Sequence, residues 1–325
     1  MSKIAELMLQ EATQLLTTQA VDKVLAWRRG EMGYDPAPAF FRQAEELTDL
    51  VYNEFCGSNL SKYLLAASQK GERVAVFLKP CDTYSLNQLL QDGRVQRELV
   101  TVIGIPCGGM LDIKQIKDQG IKGVKTVTVA AGQVTLVTAY GTKVVPQAAV
   151  LLRKCTACKG NEYKIADLEL GDKLPVPPGT DRFAQVRALE QMTAAQRFSF
   201  WQKELSKCIR CNACRDICPA CSCEQCIFDN PQAAVAGKAN ANSAEEQMFH
   251  IIRAFHVAGR CTDCGECARV CPQGIPLDLL NRKFILDINE IYGEYQAGAT
   301  SDAEAPLLKF DPADAESTIV SQRRG

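Results

Sequence analysis

Two short, uninterrupted apolar runs stand out in the first half of the chain, Arg73-Val-Ala-Val-Phe-Leu-Lys79 and Leu99-Val-Thr-Val-Ile-Gly-Ile105. Their length and β-branched content are those of strands buried on both faces. Thr83 to Leu90 between them has a helical period, so the pattern predicts a βαβ unit with parallel strands. Val124 to Val129 and Val134 to Val137 alternate with period two and are joined through Ala-Ala-Gly, which predicts a β-hairpin. The first forty or so residues and Glu45 to Ser68 read as helical. In the second half the strand pattern disappears. Asp181 to Leu205 places Phe183, Val186, Leu189 and Met192 on one helix face, and Ser243 to Val257 opens on a Ser-x-x-Glu capping box ending at Glu246. The pattern predicts an α/β N-terminal domain followed by a mainly helical domain.

Leu174-Pro-Val-Pro-Pro-Gly179 is stiff and extended in composition and marks the boundary. The expected organisation is an α/β domain over 1–173, a linker over 174–182, a helical domain over 183–296 and a tail over 297–325. The tail is acidic, with Asp302, Glu304, Asp311, Asp314 and Glu316, and reads as an arm or a partner-wrapping segment. Pro231 to Asn242 reads as a small-residue loop.

Composition changes this picture at one point: 16 of the 325 residues are cysteine. Disulfide scaffolds are short secreted chains that lack a core, whereas 46% of this chain is hydrophobic. Its first residues lack the order of a secretory signal, and no run of eighteen apolar residues occurs. The expectation is a cytoplasmic, reduced protein, without a transmembrane segment, that holds its thiols for metal. A net charge of -1 argues against nucleic acid as a partner. With only His250 and His256, catalysis built on several histidines is excluded.

Cys208-x2-Cys211-x2-Cys214-x3-Cys218-Pro219 is the bacterial ferredoxin run, and Cys261-x2-Cys264-x2-Cys267-x3-Cys271-Pro272 repeats it. Three cysteines at this spacing share one tight loop and reach three irons of a cubane. The fourth ligates the other cluster in two-cluster proteins. One [4Fe-4S] cluster is therefore expected at Cys208, Cys211, Cys214 and Cys271, and a second at Cys261, Cys264, Cys267 and Cys218. Zinc knuckles would leave the third cysteine of each run and the following proline without a reason. The 42 residues separating the runs, with their helix, resemble the α-helical ferredoxin domains of redox-complex subunits. The second domain is thus expected to be ferredoxin-like.

In the first half, Lys79-Pro80-Cys81-Asp82-Thr83, Gly104-Ile105-Pro106-Cys107 and Lys154-Cys155-Thr156-Ala157-Cys158-Lys159 occur in that order, followed by Ala166-Asp167-Leu168-Glu169-Leu170-Gly171-Asp172. From about Cys56 to Asp172 the chain resembles the coenzyme F420 hydrogenase/dehydrogenase beta-subunit family. The resemblance implies a [4Fe-4S] cluster beside a flavin. Independently, Cys81 and Cys107 at neighbouring strand ends, with Cys155 and Cys158, make four thiolates that could converge on a third cluster. The alternative is that Cys81 and Cys107 are buried apolar thiols and that Cys155 and Cys158 form a zinc half-site or a redox dithiol. FAD is not favoured, because the N-terminal segment offers only Arg29-Gly30-Glu31-Met32-Gly33 and no G-x-G-x-x-G or phosphate loop occurs.

Subtraction leaves Cys56, Cys221, Cys223 and Cys226, enough for a fourth cluster if Cys56 folds onto the Cys221 loop; zinc or spare thiols are the alternatives. His250 and His256 read as packing or tuning groups. Lys79, Arg153, Lys154 and Lys159 either raise the potential of the third cluster or are solvated charges. Trp27 and Trp201 read as helix-face anchors. The expected function is an iron–sulfur electron-transfer subunit, without catalysis of its own, within an anaerobic oxidoreductase complex of hydrogenase, formate dehydrogenase or heterodisulfide-reductase type. The rival expectations are a flavin oxidoreductase taking hydride from F420 or NAD(P)H, and a zinc-binding scaffold.

Overall fold

A computed structural model describes residues 2–177, 181–230, 243–302 and 305–308. It divides into two compact units, Met1–Arg182 and Phe183–Gly325. Residues 178–180 of the expected linker, the expected loop from Pro231 to Asn242 and the acidic positions Glu304, Asp311, Asp314 and Glu316 lie outside the described residues.

The first unit opens with α1 (Lys3–Thr17), whose N-terminus is capped by the Ser2 hydroxyl accepting from the Ala5 N–H. The helix then gives way to β1 (Lys23–Arg28) and β2 (Ala37–Phe41), so the expectation of an all-helical start is corrected. Val24 to Trp27 are all fully buried, and an apolar run of that length fits a helix or a two-faced strand equally until its neighbours are known. Trp27 accordingly anchors a strand, not a helix. From 44 to 69 the chain is likewise not one helix: 3-10 turns at Ala44–Asp49 and Ser61–Tyr63 and the short α2 (Leu64–Gln69) flank an irregular stretch that carries Asn53 and Cys56.

The expected βαβ unit is present as β3 (Val74–Leu78), α3 (Pro80–Gln91) and β4 (Val100–Gly104). After α4 (Ile113–Asp118), β5 (Val124–Ala130) and β6 (Gln133–Thr138) form the hairpin. A third strand, β7 (Gly141–Pro146), adds to it antiparallel. It carries little apolar signal because most of it is exposed. The short β8 (Leu168–Glu169) closes a five-stranded sheet in the order β2-β1-β3-β4-β8, parallel except for β2. β3 lies near its middle with every residue buried.

Register positions the chemistry. Val74 pairs with Val100 and Leu78 with Gly104, so the two strands end level. Lys79-Pro80-Cys81 and Ile105-Pro106-Cys107 therefore leave the sheet side by side, at the carboxyl edge where open α/β sheets place their sites. Pro80 stands at the first position of α3, where its missing N–H costs nothing, and Asp82 sits in the first turn near the positive end of the helix dipole. Lys79 is completely buried. Its ammonium lies 2.7 Å from Asp82 Oδ2, donates to the carbonyls of Cys56 (3.1 Å) and Ser58 (2.9 Å), and sits 4.4 Å from the Trp27 ring centroid. It is a fully desolvated ion pair, not a solvated charge.

In the second unit the helical stretch expected over 181–205 breaks into α5 (Ala184–Glu190) and α6 (Ala194–Leu205) at Thr193, which forms a reciprocal capping box with Gln196. Then follow α7 (Ala213–Asp216), α8 (Ser243–His256), α9 (Glu266–Arg269) and α10 (Leu277–Tyr292). α8 packs against α6 and α10, and α7 against α9. Glu246, in the first turn of α8, is buried. Among the described residues no helix is long and apolar enough to cross a membrane.

Removing one partner of a buried ion pair strands the other charge, at a cost of about 3–5 kcal/mol. Asp82→Ala is therefore expected to lower the thermal midpoint of the anaerobically purified protein steeply. Lys79→Met combined with Asp82→Leu, which removes both charges, is expected to recover most of that loss in the same measurement.

Candidate metal centres

The two cysteine runs of the second unit fold into the same loop twice. Arg210 and Asn212 follow Cys208 at two and four residues with φ of 52° and 61°, and Asp263 and Gly265 follow Cys261 at the same offsets with 53° and 67°. Asn212 and Gly265 are the left-handed N-caps of α7 and α9. Three of the four are not glycine, a backbone cost that persists only where the surroundings over-determine it. The left-handed residues curl each loop around its sulfurs, and the Arg210 N–H donates to Cys208 Sγ at 3.4 Å.

Packing of α7 on α9 carries the fourth cysteine of each run across to the other loop. Cys208, Cys211, Cys214 and Cys271 line one cavity, together with Phe249, His250 and Pro272. Cys218 instead lies in the field of Cys264, and Cys267 in that of Cys264 and Cys261. The eight cysteines thus fall into two crossed groups. Cys214, Cys218, Cys267 and Cys271 are buried, Cys208, Cys261 and Cys264 are half-buried and Cys211 is exposed. Burial pushes the Cys214 and Cys267 thiols up.

The first unit gathers another group. The Cys81 thiol feels Cys107, Cys107 feels Cys155, and Cys155 feels Cys158, each pushed up first by burial, with Cys107 at about 12. Backbone bonds tie the contributing loops together. Leu152 N–H donates to Met110 O at 2.7 Å, Met110 N–H to Cys155 Sγ at 3.4 Å, and Lys164 N–H to Thr83 Oγ1 on α3 at 3.0 Å. Gly104 ends β4 where the Tyr163 ring closes over it, with ring atoms 2.8–3.0 Å from the position a Cβ would take. Arg153, Lys154 and Lys159 beside this group are half-buried. Lys154 donates to Gly57 O at 2.5 Å, and Lys159 lies 4.7 Å from the Tyr84 centroid. Tyr52, which belongs to none of the cysteine motifs, donates to Pro106 O at 2.9 Å and faces Cys107, Cys56 and Cys81.

Cys56 is buried in the first unit, where the Asn53 N–H donates to its sulfur at 3.4 Å and burial pushes its thiol up to about 12. The free thiols of Cys221 and Cys218 are hydrogen-bonded to each other, Cys223 is exposed, and Cys226 packs beside the core that holds Phe228 and Phe249. His250 and Arg253, on α8, reach the first crossed group: His250 Nε2 lies 3.2 Å from Cys208 Sγ, and Arg253 Nη1 donates to Cys214 Sγ at 3.3 Å. The sequence signal for Arg253 was a charged residue one helical turn from Phe249 and His250, between the two cysteine runs.

No three His, Cys, Asp or Glu side chains among the described residues converge to hold a single metal ion. Zinc needs four ligands about 2.0–2.3 Å from one point. A cubane instead offers separate iron corners, so its thiolates surround a volume, and four thiolates around the Cys208 cavity fit that requirement.

Comparison with known proteins agrees with this donor chemistry. Residues 71–187 match the family described as the C terminus of the coenzyme F420 hydrogenase/dehydrogenase beta subunit, and residues 204–275 match the 4Fe-4S dicluster domain. The chain is 24% identical over 345 residues to the F420-dependent formate dehydrogenase subunit beta of Methanocaldococcus jannaschii, a match covering 86% of this chain and 88% of that one. It is 25% identical over 309 residues to the F420-dependent formate dehydrogenase 1 subunit beta of Methanococcus maripaludis, covering 75% and 78%. A solved chain of the F420-reducing [NiFe] hydrogenase complex from Methanosarcina barkeri aligns over 48% of this chain and 62% of that one, at 15% identity and a TM-score of 0.39. The chain joins the C-terminal domain of the coenzyme F420 hydrogenase/dehydrogenase beta-subunit family to a 4Fe-4S dicluster domain, carries several [4Fe-4S] clusters, and is homologous to the beta subunit of F420-dependent formate dehydrogenase.

Proposed function

We propose that this chain is the iron–sulfur electron-transfer subunit of a formate dehydrogenase- or hydrogenase-type complex linked to F420. The observation that carries this reading is the exchange of Cys218 and Cys271 between the two loops, which holds two donor sets side by side. Cys208, Cys211, Cys214 and Cys271 form the first site, Cys261, Cys264, Cys267 and Cys218 the second, and Cys81, Cys107, Cys155 and Cys158 a third in the α/β unit. The clusters held there supply one-electron chemistry, while the protein sets burial, charge and hydrogen bonding at sulfur. The helical domain over 183–296 is ferredoxin-like in this reading, and the compartment is the reducing cytoplasm, since the thiols serve metal rather than disulfides. The partners are the other subunits of the complex.

Protein purified under strict anaerobiosis is expected to be brown, bleached by dithionite, and to hold about 12 irons and as many sulfides per chain, roughly four for each of three cubanes. Colourless protein containing zinc alone would overturn the proposal. The crossing has its own test in electron paramagnetic resonance of the reduced protein. Cys271→Ser is expected to alter the same cluster signal as Cys208→Ser, and Cys218→Ser the same signal as Cys264→Ser. Pairing of Cys271 with Cys261 and Cys264 instead would show that each run closes on itself.

A further inference from the structure

Residues 56–60, Cys-Gly-Ser-Asn-Leu, are all buried although they belong to neither a helix nor a strand. Irregular backbone normally runs over the surface, because inside a protein its polar groups must find partners other than water. This segment and its flanks find them in the stretches that carry the cysteines of the α/β unit. Lys79, two residues before Cys81, donates from its ammonium to Cys56 O at 3.1 Å and to Ser58 O at 2.9 Å. Lys154, next to Cys155, donates to Gly57 O at 2.5 Å. Upstream, Tyr52 Oη donates to Pro106 O, next to Cys107, at 2.9 Å, and the Leu111 N–H donates to Glu54 O at 2.7 Å. Downstream, Ser61 Oγ donates to Asp82 O at 3.0 Å and Asn59 Nδ2 to Ser85 Oγ at 2.8 Å, both on α3.

We propose that the segment from Tyr52 to Ser61 is a clamp that positions the third donor set, Cys81, Cys107, Cys155 and Cys158, with Tyr52 and Lys154 as positioning residues for its cluster.

The third set draws on three stretches of chain, and the sheet fixes only two of them. Level register of β3 and β4 brings the stretches of Cys81 and Cys107 together. The 3-10 turn Arg153–Ala157, which holds Lys154 and Cys155 and ends at Cys158, comes from outside that sheet. One continuous piece of backbone binds all three within two residues of a cysteine, so displacing any one of them strains its bonds to the clamp. The bonds from Lys79 and Lys154 carry a full charge and are stronger than those between neutral groups. Contact is closest at Gly57, where a Cβ would lie 2.5 Å from Leu152 Cδ1 and 3.8 Å from Met110 Cβ. Met110 in turn donates its N–H to Cys155 Sγ at 3.4 Å. Groups that hold metal ligands in place without touching the metal change its retention by about 10–100-fold when removed.

This inference rests on the assignment of a cluster to the third set, and anaerobic iron release to a chelator, with electron paramagnetic resonance of the reduced full chain, tests the two separately. Cys158→Ser identifies the third signal. Tyr52→Phe keeps the ring and removes its donated hydrogen bond. It is expected to release about four irons about tenfold faster and to shift the line shape and midpoint of the third signal, with the two dicluster signals in place. Lys154→Met is expected to speed release likewise. Met8→Ala, which thins the same core away from the clamp, is the reference for lost stability alone: it is expected to lower the thermal midpoint and leave the third signal unmoved. A release rate unchanged in either substitution, a third signal that Tyr52→Phe does not move, or one that Met8→Ala moves as far, overturns the clamp. Unsubstituted protein without a third signal overturns the cluster assignment and the clamp with it, whereas a third signal that is present but unmoved overturns the clamp alone.

Discussion

Sulfur that is to bind iron must become thiolate, and this fold puts its sulfurs where thiolates are least stable. Burial pushes the Cys81, Cys107, Cys155, Cys214 and Cys267 thiols up, so metal loading has to displace protons the empty site would keep. Each unit answers with a buried cation. Lys79 does so in the α/β unit, inside a cage of Asp82, two carbonyls and the Trp27 face. Arg253 does so in the helical unit, with sulfur as its direct counterpart. The two differ in what they balance. Lys79 is neutralised by Asp82 and fixes the strand end that carries Cys81, whereas the charge of Arg253 is directed at the donors themselves.

The backbone solves the same problem by two routes. In the α/β unit the pleated sheet does the positioning: parallel strands in level register deliver Cys81 and Cys107 to one edge, and loop hydrogen bonds draw Cys155 in from later in the chain. In the helical unit no sheet is needed. A pair of left-handed residues per loop wraps three cysteines around a volume, and the packing of α7 on α9 supplies the fourth from the opposite loop. Local strain is accepted at Arg210, Asn212 and Asp263 across the two loops, and ligation can hold it in place.

Legibility followed the range of the forces involved. β3, β4 and the β5–β6 hairpin could be read because their burial is written into consecutive residues. β1 could not, since Val24 to Trp27 suit a helix as well as a strand and only pairing with β2 and β3 decides between them. β7 gave no signal because an exposed edge strand has no apolar face to declare. Among the sites, the ferredoxin runs could be recognised because their spacing is written into eleven residues of chain, and the third set rested on motifs in order.

The sequence by itself therefore determined the chemistry of this protein: the number of thiolates, the two repeated loops and the cofactor class that follow from covalent spacing along the chain. Only the tertiary structure decided which charges those thiolates meet. Lys79 reads equally well as a surface lysine, and Arg253 as an ordinary helix residue, until packing removes water from around them. Charge is local in sequence, but its effect on a cluster depends on distance through a dry interior, and that distance exists only once the helices have packed.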